Sequence, residues 1–160
     1  MAISGKDSIL LVQAMDATDG GLVVANLTEN SHSIENELMD EQTKMGRILE
    51  YGQNSESFEL TAYGERGDEG QQAVLDAIRN KKKLKVWEVD TKQNESSEYD
   101  STYAVCLVES VEKSSANDSF QEISATLQVE GESVEGALTS LPAGVTSGTS
   151  ATFEEPSAGE

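Results

Sequence analysis

The sequence predicts a mainly β protein with one α-helix, and three observations predict it. Residues 122–130 alternate without interruption, with Ile123, Ala125, Leu127 and Val129 set against Ser124, Thr126 and Gln128. That is the period of a strand with one buried and one wet face. Residues 68–80 carry a well-marked helical signature, the clearest in the chain. The remaining apolar runs are short and are punctuated by Gly, Asp and Asn, the spacing of strands and turns rather than of helices.

Taken in order, Ile9-Leu10-Leu11-Val12 reads as a buried strand. Residues 16–21 form a turn, because Asp-Gly and Gly-Gly accept positive φ, and Leu22-Val23-Val24 resumes an extended segment. Residues 31–39 read as an exposed strand, with Ile34 and Leu38 on one face against Ser33, Glu35 and Glu37. Residues 40–44 are a polar connection and 45–51 a partner strand, so that the two make a long hairpin with a charged tip. Residues 55–63 form a clearer strand with Phe58, Leu60 and Ala62 on one face. The helix follows a Gly64-to-Gly67 break. Asp68 is its N-cap, and Gln71 three residues on completes a capping box. Ala73, Val74, Ala77 and Ile78 share one face, with Leu75 beside them. Arg79 suits the dipole of the last turn, and Asn80 terminates the helix. Residues 84–89 and 103–108 are strands joined by a polar loop over 90–100. The second is apolar on both faces and is expected at the centre of the sheet, covered on both sides. The folded domain is therefore assigned to residues 1–138. Residues 139–160, dominated by Ser, Thr, Gly, Ala, Pro and Glu, are assigned to a flexible tail.

Composition narrows the function. The formal charge is -19, from 30 acidic and 11 basic residues, and no Lys or Arg follows Lys113. Affinity for nucleic acid comes from Lys and Arg displacing counterions, so ordinary nucleic-acid binding is not expected. An acidic surface gives solubility, and it would also let DNA pass close by without being gripped. Leu, Ile, Val and Phe together make about a fifth of the chain, just above the ~20% below which disorder is favoured. So thin a core suggests apolar surface that is buried only by association with other copies. Cys106 is the one cysteine, which excludes intrachain disulfides and cysteine-based zinc clusters. No apolar leader and no membrane-length run is present, so a soluble cytoplasmic chain is expected.

The chemistry-bearing motifs are weak. His32 is the sole histidine and reads as decoration of an exposed strand. Residues 16–20 have an acidic-loop flavour but lack the ligand series of a calcium site. Gly64, Gly67 and Gly70 do not make a dinucleotide fingerprint, and no Gly-x-Ser-x-Gly elbow occurs. No enzyme activity, no metal and no cofactor are expected. The one basic feature is Arg79, Lys81, Lys82, Lys83 and Lys85. It reads either as solvated charge at a helix end or as a patch complementary to an acidic face of the next identical subunit.

One succession of segments resembles a known family. The N-terminal Met1-Ala2-Ile3-Ser4-Gly5-Lys6-Asp7 leads into Ile9-Leu10-Leu11-Val12. Glu41-Gln42-Thr43-Lys44 precedes a strand, and Ser57-Phe58-Glu59-Leu60, Gly67-Asp68 and Val86-Trp87-Glu88-Val89-Asp90 follow in turn. Their order and spacing over residues 1–138 resemble the major tail (tail tube) proteins of long-tailed, siphovirus-type phages of Gram-positive bacteria. The resemblance implies a β-sandwich or β-barrel with one flanking helix, in a virion structural protein without catalytic residues. It implies six-membered rings stacked into a tail tube, assembled in the host bacterial cytoplasm and ending in the virion tail. Its partners would be further copies of itself, a tape-measure protein, and tail terminator and distal tail proteins. Genomic DNA would pass through the lumen without specific binding, and no membrane would be engaged. The hairpin over 31–51 resembles the long loop that reaches a neighbouring ring in this family. Asp40, Glu41 and Lys44 at its tip, and Arg79, Lys81, Lys82, Lys83 and Lys85, are the expected contact residues. Two other readings are an acidic β-sandwich binding module, which would display aromatics on a groove, and a DNA-mimic decoy, which would grip a basic protein as a monomer or dimer.

Overall fold

A computed structural model describes residues 2, 4–17, 21–141 and 156. A single turn of 3-10 helix (Gly5–Asp7) leads into β1 (Ser8–Ala14), β2 (Leu22–Val23), β3 (Leu27–Thr43), β4 (Gly46–Tyr63), α1 (Glu69–Asn80), β5 (Lys83–Gln93), β6 (Tyr99–Ser114), β7 (Glu122–Val129) and β8 (Val134–Leu138). The strands form one sheet in the order β2-β1-β5-β6-β7-β4-β3, with β8 also paired to β6. Every pairing is antiparallel. β7 and β8 lie along one edge of β6, Val129 opposite Cys106 and Val134 opposite Tyr103, so they are one strand interrupted at residues 130–133. The sheet curls until its two ends meet: Asn30 of β3 donates to Ser8 Oγ of β1 at 3.2 Å and to Glu88 Oε2 of β5 at 3.3 Å. The expected class, mainly β with one flanking helix, is the class observed.

Alternation decides which face is inside. Leu10 and Val12, Leu84 and Val86, Ala104 and Cys106, Phe58 and Leu60, and Ala125 and Leu127 all point to the concave face, where they form one core with Val24, Val74 and Ala77. The opposite face holds less. Leu11 is buried there beneath Trp87, and Trp87 and Tyr103 lie with ring centroids 5.1 Å apart. Leu107 on the same face is 46% exposed. Strand β6 is therefore central, as expected, but it is not covered on both sides, because the one α-helix among the described residues packs on the concave face.

The helix begins as the sequence indicates but with different wiring. Asp68 Oδ2 accepts from the Gln71 backbone N–H at 2.9 Å and from Ala25 N–H at 3.1 Å. Gln71 does not return to the N–H of Asp68, which instead donates to Glu65 O at 3.4 Å. Its Nε2 donates to Ala25 O at 3.1 Å and Tyr63 O at 2.9 Å, and its Oε1 accepts from Glu65 N–H at 3.1 Å. At the other end the left-handed residue is Lys81 (φ 57°, ψ 46°), not Asn80, which remains helical. The Lys82 N–H closes the turn onto Ala77 O at 2.9 Å.

Other boundaries moved in one direction. The strands expected over 31–39 and 55–63 are parts of two ribbons of 17 and 18 residues, and residues 40–43, expected as a connection, are paired strand. The loop expected over 90–100 shrinks to residues 94–98, since β5 runs on to Gln93 and β6 starts at Tyr99. Strand β8 had no strong alternating signal. In each case hydrogen bonds of the ladder carry polar residues that propensity alone would leave in loops. The centre of the turn at 16–21 and nearly all of the tail assigned to 139–160 lie outside the described residues.

Gly70 is the tightest point of the helix-to-sheet contact. A Cβ there would stand 2.2 Å from Val23 O and 2.7 Å from Val23 C, backbone atoms that cannot swing aside. Gly70→Ala is therefore expected to destabilise the fold by about 1–3 kcal/mol or more, although alanine is the better helix former. Urea unfolding followed by circular dichroism measures it; a stabilised variant would contradict the packing described.

Candidate assembly surfaces

The long hairpin leaves the body as an arm. Strand β4 pairs with β7 only from Ser57 to Tyr63, so beyond Glu56 the two ribbons β3 and β4 have only each other. Every residue from 33 to 51 is exposed. At ~3.3 Å per residue the roughly ten residues per side extend about 33 Å. Pairing puts Leu38 opposite Tyr51 and Asp40 opposite Leu49 on one face, and Met39 opposite Glu50 and Glu41 opposite Ile48 on the other. Met45 is 96% exposed and Tyr51 75%, and Ile34, Leu38, Met39, Ile48 and Leu49 are each about half exposed. A two-stranded ribbon is at best marginal on its own in water, and apolar side chains gathered on an exposed element mark an interaction surface.

The tip is held by local polar contacts. Arg47 grips Asp40 through two hydrogen bonds of 2.8 and 2.7 Å, which raises the pKa of the guanidinium against a small opposing effect of desolvation. The Thr43 hydroxyl donates to Gly46 O at 2.7 Å and accepts from Met45 N–H at 3.1 Å, and Gly46 takes φ 128°, where a side chain would be strained. Of the expected tip residues, Asp40 is thus engaged within the arm, by an Arg47 that sequence reasoning did not single out. Glu41 lies on the other face, and Lys44 sits in the turn itself.

The basic residues separate as well. Arg79, Lys81 and Lys82 are exposed together at the end of α1. Lys83 and Lys85 fall on the less covered face of β5, Lys83 in an ion pair with Glu130 at 2.7 Å and Lys85 half-buried opposite Gln13 and Val105. A row of paired residues runs from Lys83 through Leu107 and Gln128 to Ser57, so the basic corner stands level with the root of the arm and far from its tip. The two sets of expected contact residues do not make one site.

At the arm's root lies a buried polar network that the sequence did not announce. Glu56, 5% exposed, accepts from Ser133 Oγ at 2.6 Å and Ser133 N–H at 3.1 Å and meets His32 Nε2 at 2.9 Å. The His32 ring stacks on Phe58 at 4.4 Å. His32 is therefore not surface decoration; it packs across the sheet, two residues along the core-facing row from Ile34. Burial alone would raise the Glu56 carboxyl, but the Ser133 and His32 contacts outweigh it and hold it below its ordinary value. The order is serine–carboxylate–imidazole, so the hydroxyl proton points at the carboxylate and no base faces the serine oxygen, unlike a nucleophilic triad. The network instead ties the arm to the interruption between β7 and β8. The one available signal was parity, since Glu56 shares its face with Phe58 and Leu60. Cys106 is buried, which pushes its thiol up to about 12 and leaves it unreactive. Among the described residues no group of three or more His, Cys, Asp or Glu is placed to hold a metal ion.

Comparison with known proteins bears on these surfaces. Residues 2–135 match the family model described as phage tail tube protein. The chain is 46% identical over 142 residues to the tail tube protein of Bacillus phage SPP1, a match covering 88% of this chain and 54% of that protein. It is 28% identical over 144 residues to a tail protein of Staphylococcus phage phiMR11, covering 89% of this chain and 73% of that one. The chain thus spans about half the length of the Bacillus phage relative. Among solved structures, the SPP1 tail tube superposes with a TM-score of 0.77 at 40% identity, over 85% of this chain and 80% of that one. The tail of an empty gene transfer agent particle, refined with six-fold symmetry, gives 0.69 at 14% identity over 85% and 100%, a likeness of fold alone.

The network sets an acid limit on stability. Because the folded carboxyl of Glu56 lies below its unfolded value, its contribution is fully present above about pH 4.3 and is lost as pH falls through the folded value. Glu56→Gln is expected to lose about 1–3 kcal/mol at pH 7 and to show a flatter loss of stability between pH 5 and pH 2. Urea titrations across that range check it; equal acid limbs for the two proteins would remove Glu56 from the account.

Proposed function

This chain belongs to the phage tail tube protein family, and on that premise we propose that it is a virion structural protein whose rings stack into a tail tube. In this reading six copies close each ring, and the tube is assembled in the host bacterial cytoplasm and carried in the virion tail. Its acidic composition makes it a conduit through which genomic DNA moves by repulsion rather than by binding. A tape-measure protein inside the tube, and terminator and distal tail proteins at its ends, are the further partners. Neither catalysis nor a cofactor is required.

The observation that carries the reading is the arm. It is about 33 Å of paired backbone with apolar side chains on both faces. A monomer gains nothing from such an element, whereas a neighbouring copy that covers it buries Leu38, Leu49 and Tyr51 on one side and Met39 and Ile48 on the other. Each fully covered side chain of this size is worth about 1.5–3 kcal/mol, before the cost of ordering. Asp40, Glu41 and Lys44 at the tip fix where the arm lands. Of the basic residues, Arg79, Lys81 and Lys82 contribute charge at a separate contact, while Lys83 and Lys85 lie on another face.

Negative-stain electron microscopy of the concentrated protein is expected to show six-fold rings and tubes. The double variant Ile48→Glu/Leu49→Glu, which alters both faces of the arm, is expected to abolish them while leaving the circular dichroism of the body unchanged. Tubes formed by that variant would show that the arm is not the joining element.

A further inference from the structure

The concave face of the sheet changes character along its strands. On β5 the inward row runs Leu84, Val86, Glu88, Asp90, and on β6 it runs Cys106, Ala104, Thr102, Asp100. Glu135 of β8 faces Thr102, and Ser8 of β1 faces Asp90. Above the apolar core the curled sheet therefore opens into a cup of about 720 Å³, to which Glu88, Asp90, Asp100 and Glu135 contribute carboxylates and no Lys or Arg contributes a charge. Among the described residues three of these groups accept from neutral donors: Glu88 from Asn30, Asp90 from the Lys92 N–H, and Asp100 from Asn94. Among the described residues these carboxylates are not gathered in a group of three that could hold a metal ion.

The matching cations stand at the opposite end of the same strand. Of the 11 basic residues in the chain, five fall between positions 79 and 85. Arg79, Lys81 and Lys82 are exposed there, and no ion pair within the described residues engages them. From Lys83 to Asp90 the strand climbs seven residues, about 23 Å, from the basic corner to the acidic cup. Such a chain is polar along its strand direction. Two copies placed head to tail bring a basic corner to an acidic cup, whereas head-to-head or tail-to-tail placement sets like charges together.

Resting on the stacking read from the family, we propose that the acidic cup is the docking surface for the Arg79–Lys82 corner of a second copy of this chain, and that this contact sets the polarity of stacking. The volume suits a loop bearing several side chains rather than a single ion. The occupant is the same chain because its one concentrated set of unpaired cations lies at the opposite pole.

A charge swap tests it. Arg79→Glu/Lys82→Glu and Asp100→Lys/Glu135→Lys are each expected to slow tube growth, followed by light scattering at low salt, by roughly tenfold or more. Mixing the two variants is expected to restore growth to within about threefold of wild type. A second pair, Lys82→Cys with Glu135→Cys, is expected to cross-link between copies under mild oxidant. Tubes that form at wild-type rate in both reversed variants, without an 82–135 cross-link, would overturn the cup contact and leave the tube intact. Absence of rings and tubes from the wild type, with no cross-link, would overturn the stacking reading and this contact together. Loss of growth in both variants with no recovery on mixing would also overturn the pairing. So would chemical-shift changes at Glu88 and Asp100 on adding magnesium or calcium to the monomer, which would make the cup a cation site.

Discussion

Asp68 and Gln71 hold this structure at the place where it is weakest. Their side chains make five hydrogen bonds, and four of these reach backbone groups in two other segments, at Ala25 and at Tyr63 and Glu65. Those segments are the link into β3 and the exit from β4, so one turn of helix fixes where the long hairpin starts and ends. Gln71 is 5% exposed, and a buried amide with all its partners supplied is specific in a way that apolar contact is not, because any shift of the helix strands three buried groups. The close approach of Gly70 to Val23 follows from the same seating. Without it the helix would be held to the sheet by apolar contact alone, which does not fix its register.

That constraint matters because the apolar supply is short. The one helix among the described residues packs on β1, β2, β5 and β6, and four of the core positions, Ala62, Ala77, Ala104 and Ala125, are filled by alanine. The other face buries Leu11 and Val89, half-buries the Trp87–Tyr103 pair and leaves Leu107 and Val134 exposed. Most of the other exposed large apolar residues sit on the arm, where the monomer has nothing to cover them, while Met15 and Phe120 lie off it. Division of labour follows: the body is a sufficient fold, and the arm is an unsatisfied one. The Glu56–His32–Ser133 network stands at the boundary between them, and it fixes the direction in which the arm departs without adding apolar area.

The parts legible in the sequence were those written in local periodicity. The helix, its N-cap, the alternation of β7 and the exposed hairpin could all be read because a side chain's own neighbours declare its face. The parts that were not legible depend on pairing at long range. Residues 40–43 look like a polar connection until Arg47 and Ile48 are placed opposite them, and β8 exists only because β6 runs far enough to receive it. His32 was unreadable for the same reason, since its ring partner Phe58 and its acid Glu56 lie more than twenty positions away. The expected contact residues were legible as charges but not as places, because a basic run from 79 to 85 spans a helix end, a left-handed residue and one face of a strand.

Charge and apolar area therefore have different tasks in this chain. At -19 two copies repel at long range, but the repulsion falls away over a Debye length of about 8 Å at physiological salt, and what acts at contact is the local arrangement. Concentrating five of the eleven basic residues at one end of β5 and the inward carboxylates at the other gives the electrostatics a direction without giving them much binding energy, since exposed charges exchange solvent contacts for protein contacts with little net gain. The arm has the opposite property: its apolar side chains supply energy but can be covered in more than one way. Neither is sufficient alone. A sticky ribbon without polarity would aggregate, and a polar body without the ribbon would remain dispersed, so ordered growth in one direction requires both on the same chain.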